Sequence, residues 1–349
     1  MKVADLFAGV GGLSQGFIKA GFEISIAIEY DKDIALSYQK NHPNTDVYSS
    51  DIRDLNFKEI HKLHPDIQVV MGGPPCQGFS QKGKRLSLND PRNFLFKEFV
   101  RFVEEFSPKY FVLENVPNII TTENGYFKDE IIQSFKNIGY DVCCGVLNAK
   151  DFGVPQDRKR AVFIGQKGIL DIQLPEPTNV RNTIKDAIFD LPFIESGEGA
   201  EESTYDKKPI SNLQKELRGN CIILHNHVAT KHNPTALRRM AMVPIGERGK
   251  VLPKEEQTKS IYSGTYCRLL EDDVASTITT RFDTPSSGRF THPRLNRCIT
   301  TREAARIQTF PDNFVFFGSK TCQMKQVGNA VPPLLAYEIA KVIISNESI

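Results

Sequence analysis

The chain has 349 residues, 40% of them hydrophobic and 25% charged, which excludes a wholly disordered polypeptide and leaves room for two lobes. A formal net charge of +2, from 44 basic and 42 acidic side chains, excludes a uniformly basic nucleic-acid coat, so any polyanion site has to be a local patch. Seven scattered cysteines without a Cys-x-x-Cys pair argue for a reducing, cytoplasmic compartment, and no continuous apolar stretch reaches the length of a bilayer span, so no membrane partner is expected.

Val3-Ala4-Asp5-Leu6-Phe7 reads as a first strand running into Ala8-Gly9-Val10-Gly11-Gly12, with a helix carrying Leu13, Phe17 and Ile18 behind it. Small residues at such a turn let backbone N–H groups approach a ligand. The dinucleotide fingerprint G-x-G-x-x-G is not met, because Ser14 stands at the third glycine position. A second strand over 23–28 ends at Glu29, where a carboxylate suits a pair of ribose hydroxyls, and a third short strand leads to Asp51-Ile52, within reach of an adenine ring. Singly these acids read as solvated strand ends; as a series behind a glycine turn they read as an adenosine site.

Ile67-Gln68-Val69-Val70-Met71 is an apolar run closed by Gly72-Gly73-Pro74-Pro75, and the next side chain is the thiol of Cys76. Such runs read as buried parallel strands, and two prolines stiffen the exit. A thiol on a stiff pedestal at a strand end suits a nucleophile, although buried inert cysteines are common. Residues 77–93, with Lys82, Lys84 and Arg85, read as a basic loop able to fold over a ligand and touch phosphates, or as a solvated surface loop.

An amphipathic helix over 94–106 is followed by a strand, Tyr110-Phe111-Val112-Leu113, that delivers Glu114-Asn115. The glycine turn, Cys76 and Glu114 then share the carboxyl edge of one parallel sheet, where open α/β sheets bind ligands. A helix near 127–138 and a strand near 140–148 come next. Gln156-Asp157-Arg158-Lys159-Arg160 opens a further strand at 161–165, and alternation predicts that Arg158 and Arg160 point the same way, with forks suited to a base carbonyl or a phosphate.

From about 167 periodicity weakens, and 195–208 reads as an acidic loop. Residues 218–302 hold about twice as many basic as acidic side chains, with Arg238, Arg239, Arg268, Arg281 and Arg289 interleaved with Tyr262, Tyr266, Phe282 and Phe290, a mixture suited to phosphate contacts and base readout. Cys221, His225, His227 and His232 have no ordinary structural zinc spacing, so no metal is expected. A helix over 301–310 takes Thr301 as its cap, with Arg302, Glu303 and Arg306 read as a structural pairing. Gly328-Asn329 precedes a last helix over 334–345.

These segments, in this order from Asp5 to about Ala340, resemble the DNA cytosine-5 methyltransferases of bacterial restriction-modification systems; the Pro74-Pro75-Cys76-Gln77 and Glu114-Asn115-Val116 elements carry most of the likeness. The resemblance implies an α/β, Rossmann-like S-adenosylmethionine-dependent methyltransferase sheet with a smaller target-recognition domain. It implies a catalytic and cofactor-binding lobe of 1–166 completed by 318–349, and a recognition domain over 167–317. By the same likeness Cys76 attacks C6 of a flipped-out cytosine, Glu114 contacts N3 and the amine, Arg160 holds the base carbonyl, and Arg158 supports the site or a nearby phosphate. Phe7, Gly9, Gly11, Leu13, Glu29, Asp51, Ile52, Pro75, Leu95, Asn329 and Val331 would bind S-adenosylmethionine. Double-stranded DNA is the expected partner, through Lys82, Lys84, Arg85, Arg238, Arg239, Arg268, Arg281 and Arg289. A cognate restriction endonuclease would be a functional partner only, and the chain would act as a monomer in the bacterial cytoplasm, at the nucleoid. The same chemistry on a tRNA cytosine, and a nucleotide-binding oxidoreductase, are the alternatives.

Overall fold

The computed structural model describes residues 1–75, 95–168, 171–247, 249–258, 260 and 264–347. Cys76, Lys82, Lys84, Arg85 and Tyr262 therefore lie outside the described residues. The chain divides into two compact units, Met1–Asn148 with Lys159–Thr178 and Pro333–Ile349, and Ala149–Arg158 with Asn179–Pro332.

The first unit begins with β1 (Lys2–Leu6), α1 (Gly12–Lys19), β2 (Glu23–Ile28), α2 (Lys32–Asn41), β3 (Asp46–Tyr48), α3 (Phe57–Leu63) and β4 (Ile67–Gly72). It continues with α4 (Phe96–Phe106), β5 (Tyr110–Asn115), α5 (Tyr126–Asn137) and β6 (Tyr140–Asn148). A short β7 (Gln156–Asp157) belongs to the second unit, and β8 (Lys159–Lys167) returns to the first. Strand order is β3-β2-β1-β4-β5-β8-β6. β3, β2, β1, β4 and β5 run parallel, while β8 is antiparallel to both β5 and β6. The Rossmann-like sheet read from the sequence is thus a mixed one at its far edge. Strand direction leaves no trace in an apolar run, so β8's reversal was not legible.

The central strands are nearly continuous runs of buried residues, as a sheet covered on both faces requires. On one face α4 turns Phe96, Phe99, Phe102, Val103 and Phe106 inward, and α5 adds Phe127, Ile131 and Phe135. Phe111 from β5 stacks on Phe135 with ring centroids 3.7 Å apart. Each fully buried Phe contributes roughly 1.5–3 kcal/mol, so this aromatic layer dominates the first unit's stability.

In the second unit the order is α6 (Ile184–Ile188), β9 (Gly199–Thr204), α7 (Asn212–Arg218), β10 (Ile223–Val228), α8 (Pro234–Met242), β11 (Ala275–Ser276), α9 (Thr301–Ile307) and α10 (Lys320–Asn329). The expected loop over 195–208 contains β9, which pairs antiparallel with β10. Its side chains are almost all exposed, so no alternation marks it in sequence. α9 is capped by Thr300, not Thr301, because only Thr300 sets Glu303 at the third helical position, where cap and carboxylate bond reciprocally. Arg302, Glu303 and Arg306 are buried in ion pairs, each with a partner outside the three: Glu303 meets Arg297 at 2.8 Å, Arg302 meets Asp312 at 3.6 Å, and Arg306 meets Asp312 at 2.6 Å and Asp190 at 3.0 Å.

Segment 318–332 falls in the second unit, where the Gln308 amide donates to Val327 O at 2.6 Å. The final helix α11 (Pro333–Glu347) returns to the first. Taken as one run, Lys320–Glu347 has the length and apolarity of a membrane span. Ala330–Pro332 breaks that run into two helices, and 61% of its most apolar window is buried in the protein, so it is core. α11 packs against α1 at Gly16, where a Cβ would fall 2.4 Å from Ala336 Cβ and 2.5 Å from Pro333 O and Tyr337 N. Two of those obstacles are backbone atoms and cannot swing aside. Gly16→Ala is therefore expected to destabilise the protein by about 1–3 kcal/mol in urea unfolding, even though alanine is the better helix former.

Candidate active site

Strand order reverses between β1 and β4, and at that switch point open α/β sheets leave a crevice beyond their carboxyl ends. The first unit's chemistry-bearing residues lie along this edge: Phe7 after β1, Glu29 after β2, Asp51 beyond β3, Gly73 to Pro75 after β4, and Glu114 within the end of β5.

After β1 the backbone turns through left-handed conformations at Phe7 (φ 57°), Gly9 (φ 55°) and Gly11 (φ 97°). For Phe7 such a conformation is unusual and costs free energy, a signature of functional turns. A Cβ at Gly11 would come within 2.5 Å of His42, whereas one at Gly9 would meet nothing within 4 Å. The turn is closed toward the protein at Gly11 and open at Gly9. Glu29 accepts the Gly9 amide at 2.9 Å on one oxygen and the Asp31 amide at 2.8 Å on the other, which fixes its carboxylate at the lip of the turn. Asp51 is held bidentate by Arg53, at 2.9 and 2.6 Å, and this pairing keeps its carboxyl below the usual range. Ile52 and Leu13 are buried, and Leu95 is half-buried just before α4. Sequence reasoning passed over Tyr30, which follows Glu29 and is 73% exposed. A large aromatic beside a strand-end acid was the available signal.

Beneath the turn, Asp5 is wholly buried; its Oδ2 accepts from Ser14 Oγ at 2.6 Å, and Tyr38 OH lies 2.7 Å from the same hydroxyl. Asp5 Oδ1 has no hydrogen-bond partner among the described residues. Burial pushes this carboxyl up to about 7; the Ser14 hydrogen bond opposes the rise and the charge of Glu29 adds to it.

Glu114 and Arg160 meet because β8 is antiparallel. Its first residues arrive at the edge where the parallel strands deliver their last. In register Glu114 faces Val162, and Arg160, two residues earlier, lies on the same side of the sheet. Arg160 Nε reaches Glu114 Oε1 at 2.6 Å, and the Arg160 Nη1 also donates to Lys159 O at 2.8 Å. Burial lowers the Arg160 guanidinium from its ordinary value and the Glu114 carboxylate counters this. Both side chains keep about a tenth of their surface, 12% and 11%, enough to meet a ligand. Asn115 ties the two strand exits together, donating to Pro74 O at 2.8 Å while its own oxygen accepts the Val116 amide at 2.8 Å. A Cβ at Gly73 would stand 2.7 Å from Glu114 Oε2.

The second unit distributes its expected site residues differently. Arg158 lies between β7 and β8, is 1% exposed, and donates to Ile278 O at 3.0 Å and Gly328 O at 2.8 Å. Arg158 and Arg160 therefore do not share one strand. Arg268 is turned inward, donating to the carbonyls of Met240, His292 and Leu295 and to the Asn296 side chain. Arg238 and Arg239 share Glu256, at 2.6 and 3.1 Å. Asn329 is exposed at the end of α10, and Val331 is buried. His227 uses both ring nitrogens, toward Thr300 Oγ1 and Pro192 O, and His232 accepts the Cys298 amide. Among the described residues no group of His, Cys, Asp or Glu is arranged to hold a metal.

A family model described as C-5 cytosine-specific DNA methylase matches residues 1–345. The chain belongs to this family. The C-5 cytosine methylase is 39% identical to the Type II methyltransferase M.DdeI of Desulfomicrobium norvegicum, over 98% of this chain and 88% of that one. It is 40% identical to M1.HphI of Haemophilus parahaemolyticus, over 97% and 86%. A solved structure titled as a putative DNA modification methyltransferase encoded within an Escherichia coli prophage superposes with a TM-score of 0.83 at 29% identity, covering both chains completely. A DNMT2 of Spodoptera frugiperda, at 18% identity and a TM-score of 0.65 over 98% and 99% of the two chains, shares the fold.

The C-5 cytosine methylase is thus a DNA (cytosine-5-)-methyltransferase, and its methyl donor is S-adenosylmethionine. The oxidoreductase alternative falls with this assignment. The glycine turn fits the donor: open space above Gly9, no space at Gly11, and a carboxylate oriented by two amides at the lip.

Two outcomes follow from this geometry. Gly73→Ala drives a methyl group against Glu114 Oε2, so methyl transfer should fall at least tenfold while S-adenosylmethionine binding, measured by calorimetry, is retained. Asp5 binds its proton more tightly folded than unfolded, so its contribution to stability is full below pH ~4 and is lost as pH rises toward 7. Buried His42 and His292, each held down at about 4, titrate with the opposite sign. The difference between wild type and Asp5→Asn isolates the acid. In urea unfolding the variant should gain on wild type by up to about 1.4 kcal/mol per pH unit between pH 4 and 7, with no further gain above.

Proposed function

We propose that the enzyme methylates C5 of a cytosine extruded from a specific duplex sequence, through a covalent bond between Cys76 Sγ and C6 of the base. The observation that carries this reading is the Glu114–Arg160 pair at 2.6 Å on the sheet edge, tied by Asn115 to the Pro74-Pro75 exit that Cys76 directly follows in sequence. Cytosine C5 is a weak nucleophile inside an aromatic ring. Addition of the Cys76 thiolate to C6 breaks the C5=C6 double bond and shifts its electron pair toward C5 and N3. Glu114, meeting N3 and the exocyclic amine, would give a proton to N3 as that charge develops and take it back when the adduct collapses, while Arg160 holds Glu114 in place and offers its fork to the base carbonyl. S-adenosylmethionine supplies an electrophilic methyl group to C5. The C5 proton is then lost to solvent, the Sγ–C6 bond breaks, and its electron pair returns to Cys76 as thiolate.

Phe7, Gly9, Gly11, Leu13 and Pro75 would hold the cofactor, with Glu29 on the ribose hydroxyls and Ile52, Asp51 and Tyr30 around the adenine. An aromatic face offered to a purine contributes stacking without ordering any new polar group. None of this chemistry reaches a base inside a duplex, so the target nucleotide swings out. Residues of the second unit would read the duplex. The Type II names of the relatives support a role in protecting host DNA beside a cognate endonuclease; the methyltransferase itself would act as a monomer in the cytoplasm.

Cys76→Ala is expected to abolish methyl transfer, by at least a thousandfold, while leaving duplex affinity within a few-fold. A duplex carrying 5-fluorocytosine at the target should trap wild type in a denaturant-stable complex, because fluorine replaces the proton that has to leave. Attachment mapped to any residue other than Cys76 refutes the assignment. Bisulfite sequencing of DNA from cells expressing the enzyme would report the modified context.

A further inference from the structure

Arg158 was expected to support the site or a nearby phosphate; its guanidinium donates inside the second unit, to Ile278 O and Gly328 O. The stretch it grips is fastened at Ala275, Ser276, Thr277 and Ile278. Ala275 and Ser276 pair with Gln156 and Asp157, and Thr277 Oγ1 donates to Asp157 O at 2.7 Å. The Ile278 amide donates to Gln156 Oε1 at 2.8 Å, and Gln156 is itself held by Gln308 at 3.0 Å. Gly328 packs so closely that a Cβ there would meet the Thr279 carbonyl at 2.6 Å and the Thr280 amide at 2.7 Å. The next residue is Arg281. Its side chain is exposed and has no hydrogen bond or ion pair among the described residues, while its carbonyl accepts Ser287 Oγ at 2.6 Å and the Thr284 amide at 3.2 Å. Of the five arginines expected to meet DNA in this unit, Arg268 is an internal brace, Arg238 and Arg239 share a carboxylate and Arg289 is half-buried, so Arg281 is the exposed fork without a side-chain partner among the described residues.

We propose that Arg158 is a positioning residue for DNA recognition: by fixing the Ile278–Arg281 strip it aims the Arg281 guanidinium at the duplex. The inference rests on the DNA-methyltransferase reading and deepens it. A guanidinium meets a duplex at a phosphate or bidentately at a guanine edge, and either contact is sensitive to small shifts in the backbone that carries it.

The test uses the full-length enzyme, S-adenosylmethionine and two duplexes, the methylated sequence and one with a single base pair changed. Arg281→Ala, an exposed change, should weaken binding of the cognate duplex about tenfold with S-adenosylmethionine affinity unchanged. Uniform weakening with a shallower salt dependence marks a phosphate contact, and relaxed discrimination between the duplexes marks a base contact; both support the proposal. Arg158→Lys keeps the charge but loses the fork. It should raise KM for DNA or relax discrimination while kcat stays within a few-fold, and in the Arg281→Ala background it should add little, because both changes act through one contact. Unaltered duplex binding by Arg281→Ala, collapse of kcat at unchanged KM in Arg158→Lys, or full additivity overturns the proposal. If Arg158→Lys does not fold, Thr277→Val, which cuts one surface clasp of the same strip, replaces it with the same expected pattern. A wild-type protein that methylates neither duplex nor any genomic DNA overturns the underlying reading instead.

Discussion

A 2.6 Å contact between Glu114 and Arg160 depends on one strand running the wrong way. In a purely parallel sheet the residue after β5 would be followed by a helix, and the next strand would deliver its end, not its beginning, to the ligand edge. Because β8 is antiparallel to β5, a cation at its start arrives beside an anion at β5's end without a long loop to support either. Both charges are mostly withdrawn from water, and a pair of this kind tolerates desolvation only when geometry and additional hydrogen bonds hold it. The sheet supplies that hold. Asn115 then fastens the neighbouring strand exit to the same frame, so acid, cation and the approach to Cys76 share one rigid mount.

The two units reach stability by different means. The first has an aromatic layer over a buried sheet, with buried polar groups at the ligand edge and in the Asp5–Ser14–Tyr38 cluster below it. The second threads charge through its interior: Arg297, Arg302 and Arg306 are fully buried and answered by Glu303, Asp312, Asp190 and backbone carbonyls. Glu303 is held well below the usual carboxylate range, because the Arg297 and His292 charges outweigh its burial. Such networks add little net stability compared with apolar packing but fix a single arrangement.

Much of this was legible in the chain. Strands at 23–28 and 140–148 have the bounds read from their sequences, and the Gly-Gly-Pro-Pro exit and the helices behind it follow from apolar runs and breakers. What was not legible has a common cause: it depends on partners distant in sequence. β9 is defined by hydrogen bonds to β10 and carries no buried alternation. Arg268 and Arg281 are indistinguishable as letters, and only the fold shows one spent on carbonyls and the other exposed. Arg158 and Arg160 sit two apart, as strand mates would, yet the chain changes unit between them. The cap of α9 slipped by one residue because two threonines stand side by side and only the reciprocal bond with Glu303 chooses between them.

The contact of α1 with α11 joins the first turn of the chain to its last helix, across some three hundred residues of intervening polypeptide. During synthesis the glycine turn that opens the protein therefore waits, with one flank of α1 uncovered, until the carboxyl-terminal helix has cleared the ribosome. The order of translation thus makes the amino-terminal element one of the last to be sealed, and a chain cut short before α11 would carry every reactive group yet leave the helix behind its glycine turn unsupported.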